Sequence, residues 1–326
     1  MRKLLSLFLI LFLLAGCTSA APAETTAPVT EAPAAAVTEA TAAPETTAAT
    51  EESQPDDSWK EDKLVVHYID IGQADCMLLE CGGETMLIDG GYAERGWEVV
   101  EYLQEQGVEK LDLVVGTHPH GDHIGATPEV MDHFPTEEVW SGPITYKNQT
   151  VYNFLDAAAA QNLTIHYPKP GETTTLGDAF ITVLGPVKTF YEDVNDLSLV
   201  LMVEFGETRF LFTGDMEQLA EDDMLDYWGE NYDFTADVLK VGHHGSYSST
   251  HYRLLRAVLP TYGVICVGGN NEYGHPHDDP ISRLQDAEVT IYRTDKMYDI
   301  MAVSDGYDIT FTWENKYAQP WTPDAA

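Results

Sequence analysis

Residues 118–123 read His-Pro-His-Gly-Asp-His, three imidazoles and one carboxylate within six positions of a chain that holds only 11 histidines in 326 residues. Imidazole nitrogens bind zinc and related divalent ions, and a carboxylate between them can hold a second ion or orient a water. The run follows directly on the apolar segment Leu111–Gly116 and leads into Ile124-Gly125-Ala126, so it stands at the end of a buried strand. A chance His-rich surface loop does not fit that placement. Three more polar stations end apolar segments in the same way: Asp89, then Asp215 in Thr213-Gly214-Asp215, then His243-His244 in Gly242-His243-His244-Gly245-Ser246. A rigid sheet can bring such strand ends to one rim, where a site would be built.

The elements that must position these stations are legible as an alternation of strands and helices. Strands are expected over Leu64–Ile69, Cys76–Glu80 and Thr85–Asp89, with Gly82-Gly83 as a hairpin turn. A helix fits Trp97–Gln106, with Val99, Val100 and Leu103 on one face and Gly107 as its stop, and Leu111–Gly116 follows as a buried strand. Further on, helices are expected over Tyr152–Gln161, Glu217–Tyr227, Tyr252–Val258 and Ile281–Asp286. Strands are expected over Leu163–Tyr167, Ala179–Leu184, Leu199–Phe205, Thr208–Phe212, Ala236–Val241, Tyr262–Val267, Val289–Tyr292, Ile300–Val303 and Tyr307–Trp313. Alternating elements with hairpins at both ends predict an α/β protein, a mixed sheet sandwich flanked by helices.

The HxHxDH run, with Asp89 in LIDGG before it and Asp215 in TGD after it, resembles the metallo-β-lactamase fold hydrolases. More narrowly, the order DIGQAD, LIDGG, THPHGDHIG, NDLSLVL, FLFTGD, DVLKVGHHGS and NEYGHP is similar to the hydrolase domain of ComEC-type competence proteins, over about Leu64 to Trp313. The resemblance implies an αββα sandwich of two mixed sheets flanked by helices. It also implies two divalent metal ions, zinc by default with manganese as the alternative. His118 and His120 would bind one ion, Asp122 and His123 the second, and Asp215 would bridge both. The next ligand would come from HHGS: His243 is favoured because it follows the strand and glycine as the family's usual histidine does, with His244 as the close second. Asp89 would be a structural carboxylate beside the metal loop. The histidine that many members carry before the hairpin strand is absent, and Asn195-Asp196-Leu197-Ser198 stands there, so water, Asn195 or Asp196 would have to complete the first ion's shell.

Two divalent ions about 3.5–4 Å apart bring the pKa of a bridging water toward neutrality and polarise the oxygen under attack. Asp122 and Asp215 would hold that water in line. A phosphodiester or an ester suits such a centre. A phosphodiester also calls for a cation near the leaving oxygen, for which Lys240 and His275 are the candidates.

The first 17 residues, MRKLLSLFLILFLLAGC, place two basic residues before an apolar run that is too short for a spanning helix with normal flanks. The ending LLAGC resembles the bacterial lipobox, which implies a lipid on Cys17, export, and anchoring at the extracellular face of the cell membrane. Residues 18–58 are almost entirely Ala, Thr, Pro, Glu and Val, with no periodic apolar face, and read as an extended, disordered tether. Residues 59–326 are left as the hydrolase domain. Cys76 and Cys81 point to opposite faces of one strand, about 16 Å apart at a strand's rise, so with Cys266 they read as buried thiols.

The chain carries 54 acidic against 17 basic residues, a formal charge of −37, of which −30 falls after residue 62. That excludes a broad basic nucleic-acid docking surface. It leaves three readings of function. One is a phosphodiesterase or nuclease acting on small or locally presented substrates. Another is a dimetal hydrolase of a surface ester, lactone, β-lactam or wall polymer. The last is a surface binding lipoprotein whose metal loop is structural. Nucleic acid stays open as a substrate, and no sequence signal fixes the oligomeric state.

Overall fold

Period-two burial builds the first sheet. In β1 (Leu64–Tyr68), Leu64, Val66 and Tyr68 enter a core cluster that Val65 and His67, on the opposite face, do not join. β1 pairs antiparallel with β2 (Met77–Cys81), and β2 with β3 (Glu84–Ile88) across Gly82-Gly83. β4 (Leu111–Gly116) and β5 (Thr136–Ser141) then add in parallel. The second sheet opens with an antiparallel run of β6 (Thr173–Leu176), β7 (Ala179–Gly185), β8 (Val200–Phe205) and β9 (Thr208–Phe212). It continues in parallel through β10 (Val238–Lys240), β11 (Tyr262–Ile265) and β12 (Thr290–Arg293). β13 (Ile300–Ser304) and β14 (Ile309–Trp313) return to the first sheet beside β1.

The computed structural model describes residue 60 and residues 62–323, all within one compact unit, Gln54–Ala326. Among the described residues the sheets run β14-β13-β1-β2-β3-β4-β5 and β12-β11-β10-β9-β8-β7-β6. Their inner faces share one core, with Val66, Tyr68, Leu79 and Ile88 from the first sheet and Leu201, Val203, Phe210 and Phe212 from the second. Helices α1 (Gly96–Glu105), α2 (Gly121–Ile124), α3 (Thr127–His133) and α4 (Gln149–Ala160) cover the outer face of the first sheet through Val99, Leu103, Ile124, Val130 and Phe154. Helices α5 (Gln218–Trp228), α6 (Tyr252–Val258) and α7 (Asp278–Asp286) cover the second through Met224, Leu255 and Leu284, and a short α8 (Thr294–Met297) leads into β13. The expected αββα sandwich is the fold. The lipobox with Cys17, the tether over 18–58 and residue 59 lie outside the described residues. No helix among those described is long and apolar enough to cross a membrane.

One expected strand does not form. Residues 163–167 make only a single parallel bridge, Trp140 to His166, because Pro168 and Pro170 follow directly and cannot donate to a ladder. Two strands and three short helices, α2, α3 and α8, escape the pattern reading. β5 (TEEVWS) and β6 (TTTL) are edge strands with polar outward residues, and α3 follows so closely on the metal loop that its Thr127-Pro128 start is masked. The three described cysteines are buried and free, Cys81 in the inter-sheet core and Cys76 on the helix side.

Candidate metal centre

Parallel pairing aligns strand ends. β3 and β4 run in parallel in one sheet, β9 and β10 in the other, so the residues that follow each pair leave at the same edge. Asp89, residues 117–123, Asp215 and residues 243–244 all issue from these four ends. Contacts across the sheets confirm that they meet: His123 Nε2 lies 3.2 Å and His118 Nε2 4.0 Å from Asp215 Oδ2.

Local constraints aim each side chain. Asp122 and His123 sit on the single turn of α2, which brings both to one side. That turn is pressed against the Asp89 loop: Gly90 and Gly91 donate to His123 O at 2.6 and 3.0 Å, and a Cβ on Gly125 would come 2.2 Å from Gly121 O. Glycine at 125 is therefore a packing requirement. Asp89 accepts from Thr117 N at 2.8 Å and from Thr117 Oγ1 at 2.7 Å, and lies 2.7 Å from His123 Nδ1. The carboxylate thus accepts a hydrogen bond from Nδ1–H and leaves His123 Nε2 as the ligating atom.

His243 and His244 both have left-handed backbone, φ 48° and 52°, which non-glycine residues adopt only when the surroundings impose it. The turn separates their roles. His244 is buried; its Nδ1 donates to Cys266 O at 2.9 Å and lies 3.2 Å from Asp75, and its Nε2 lies 3.4 Å from Asp122 and 3.7 Å from Asp215. His243 stands nearer the opening, with Nδ1 3.0 Å from Glu217 and Nε2 3.6 Å from Asp215. Donor atoms of Asp122, His123, Asp215 and His244 all lie within 4.8 Å of one another, and His243 is outside that set.

These residues fit a divalent ion. His123 Nε2, His244 Nε2 and Asp215 Oδ1 are buried without a hydrogen-bond partner, an arrangement that is costly unless an ion completes it. The electrostatics agree. Burial alone would raise the Asp215 carboxyl, but the charges of His123, His244 and His243 outweigh it and hold it well below the usual range. The His244 hydrogen bond and the charges of His123 and His244 overcome burial at Asp122 in the same way. Burial, reinforced by the charge of His123, keeps the His118 ring well below its ordinary value and therefore neutral, the form that binds metals. On the other half of the site His118 Nε2 and His120 Nδ1 face each other at 2.9 Å. Asn195 lines the same cleft with its Oδ1 buried and unbonded, so it can supply an oxygen where the family's histidine is missing.

Four assignments change: His244 takes the ligand place expected of His243, and Asp196, Lys240 and His275 lose the roles expected of them. Asp196 faces away from the ions: its Oδ1 accepts from Glu217 N at 3.1 Å and Ala220 N at 3.3 Å, capping the start of α5. Lys240 is not a cation beside a leaving group. It is fully buried, 2.6 Å from Asp75 Oδ2, and donates to Val241 O, so it neutralises Asp75 behind His244. His275 does line the cleft, but burial and the nearby His243, His244 and His277 bring its pKa down to about 4, so it is uncharged at neutral pH.

The cleft over the centre has a volume of about 330 Å³ and is lined also by Gln73, Tyr92, Tyr146, Asn148 and Tyr273, with no Lys or Arg among the described residues that line it. A larger cavity of about 660 Å³, between Glu80 and Lys110, contains none of the four polar stations. Tyr146 and Asn148 carry no sequence signal. Gln73, Asp75 and Tyr273 sit inside the DIGQAD and NEYGHP motifs, where attention to the motifs' other polar residues could have found them.

Fold and centre together define a class, and comparison with known proteins gives the same one: residues 69–269 match the Metallo-beta-lactamase superfamily, and the chain belongs to that family. It is a metal-dependent hydrolase. Within the family its hydrolase domain is of the ComEC type. The chain is 29% identical over 249 residues to ComE operon protein 3 of Bacillus subtilis, covering 71% of this chain and 32% of that protein. It is 28% identical over 235 residues to Recombination protein 2 of Haemophilus influenzae, covering 70% of this chain and 26% of the relative. The chain thus spans about a third or less of the relatives it matches. Among solved structures, the metallo-beta-lactamase fold protein YhfI of Bacillus subtilis superposes with a TM-score of 0.50 at 15% identity, over 72% of this chain and 96% of that one, which shows the shared fold.

Proposed function

We propose that this protein is an exported, membrane-tethered phosphodiesterase that acts on small or locally presented phosphodiesters, with zinc as the resident ion and manganese able to replace it. The observation that carries the reading is the cluster of ligand groups on Asp122, His123, Asp215 and His244, the last three with buried atoms that have no hydrogen-bond partner, beneath an open cleft, in a chain whose motif order follows the ComEC type. Relatives named for competence and recombination support a nucleic-acid-type bond over an ester.

A bound divalent ion would supply an acidified water and a Lewis acid for the oxygen under attack. The chain's own residues do the rest. Asp122 and Asp215, both held ionised, orient the attacking water from two sides. Asp89 fixes His123 in the tautomer that exposes Nε2, and Cys266 O with Asp75 does the same for His244. His118, His120 and Asn195 would hold the second ion. The body's charge of −30 and a cleft that no Lys or Arg among the described residues lines favour a second reading, hydrolysis of an uncharged surface ester or lactam, over attack on long polyanions.

The two readings separate on turnover of bis-p-nitrophenyl phosphate, p-nitrophenyl acetate and nitrocefin by the protein loaded with Zn²⁺ or Mn²⁺. Phosphodiester turnover that a chelator abolishes is expected. Nitrocefin or ester turnover alone would refute the phosphodiesterase. Activity on long DNA should also fall at low salt, where the Debye length grows from about 8 Å at physiological ionic strength to about 30 Å at 0.01 M and repulsion is least screened.

A further inference from the structure

The DIGQAD loop between β1 and β2 reaches the last histidine of the cleft. Gly268 N donates to Gln73 Oε1 at 3.1 Å, and Gln73 Nε2 lies 3.1 Å from His275 Nδ1. A main-chain N–H can only donate, so the first bond fixes which end of the amide is oxygen and turns the NH₂ toward His275. That NH₂ can only donate, so Nδ1 must accept, and the proton of the ring sits on Nε2. The loops can touch this closely because residue 268 is glycine; a Cβ there would stand 2.6 Å from Gln73 N. From the other side Asn271 accepts from His275 N at 3.0 Å and donates to His275 O at 2.7 Å and to Gly268 O at 2.8 Å, so the backbone under the ring is held as well. With Nδ1 engaged, Nε2 is the polar atom the ring has left to offer in a cleft that no Lys or Arg among the described residues lines.

We propose that Gln73 is a positioning residue that locks His275 as the Nε2–H tautomer, and that this N–H donates a hydrogen bond to an anionic oxygen of the bound phosphodiester. The second half rests on the phosphodiesterase reading; the first does not. Recognition of an anion by a neutral donor fits an acidic protein, because it needs no charge that the surrounding carboxylates would quench.

Long-range ¹H–¹⁵N spectra of the zinc-loaded full-length chain test the tautomer, with His275 assigned by the signals lost in His275→Ala. Protonated Nε2 and bare Nδ1 are expected in the wild type. Gln73→Glu keeps an acceptor for Gly268 N but faces Nδ1 with a carboxylate, and should move the proton to Nδ1. A wild-type ring protonated on Nδ1, or an unchanged ring in Gln73→Glu, would overturn the lock. For bis-p-nitrophenyl phosphate, Gln73→Glu should raise KM about tenfold or more, the scale of one hydrogen bond to a charged group, with a smaller change in kcat. The uncharged Gln73→Met should raise KM in the same direction, which separates lost orientation from repulsion by the new carboxylate. Unchanged KM in both variants would refute the substrate contact. Absence of turnover in the wild type would refute the phosphodiesterase reading and with it that contact, while the spectra would still decide the tautomer.

Discussion

At the scale of residues, the centre depends on second partners as much as on ligands. Asp89 presents its carboxylate to both Thr117 and His123, so Asp89→Asn keeps the shape but puts an NH₂ in competition for the contact with Nδ1. Zinc affinity should fall about 10–100-fold, measured by competition with a chromogenic chelator, while the fold is retained. Unchanged affinity would mean that the Asp89 contact does not set the tautomer of His123. Spacing marks residues 118–123 and Asp215 as polar stations at strand ends, and the family resemblance implies that Asp122, His123 and Asp215 are ligands. The resemblance favours His243 over His244, and the structure reverses that order. Those are neighbours in sequence, and two consecutive left-handed residues decide which ring turns inward. Lys240 and Asp196 were misread for a related reason: composition shows a charge, whereas only packing shows whether Asp75 or the start of α5 already takes it.

At the scale of elements, core strands and amphipathic helices were legible because burial imprints a period on them, whereas β5 and β6 lie at sheet edges and carry little of that imprint. The loop ahead of β13 stores a pH dependence. Asp299 Oδ1 accepts from Asp70 N at 2.7 Å, yet burial, together with the charges of Glu314 and Asp70, pushes its carboxyl up to about 6. Asp70 is raised by burial as well. An acid with a raised folded pKa stabilises the fold while protonated. That contribution is fully present below its unfolded pKa of about 4 and is lost as pH rises through about 6. Asp299→Asn retains the acceptor without the charge. It should therefore raise the urea midpoint at pH 7.5 and leave it nearly unchanged at pH 4. An equal shift at both pH values would contradict this account.

At the scale of the whole molecule, acidity excludes a basic docking surface while leaving phosphodiester chemistry to a recessed centre with neutral donors around it. The tether and lipid proposed for the N-terminal segment would keep such an enzyme near the membrane, where substrates are presented locally. Cys17→Ala should move the protein from the membrane to the soluble fraction of the cells that express it; continued sedimentation with membranes would refute lipid anchoring. The central claim is that Asp122, His123, Asp215 and His244 form the hydrolytic metal centre, with His243 beside it. Its most direct test is bound zinc per chain, measured with bis-p-nitrophenyl phosphate turnover on the same samples, in wild type, His244→Ala and His243→Ala. The account predicts that His244→Ala loses tightly bound zinc and turnover together, whereas His243→Ala keeps its zinc. Full zinc and full turnover in His244→Ala, or loss of zinc only in His243→Ala, would contradict it.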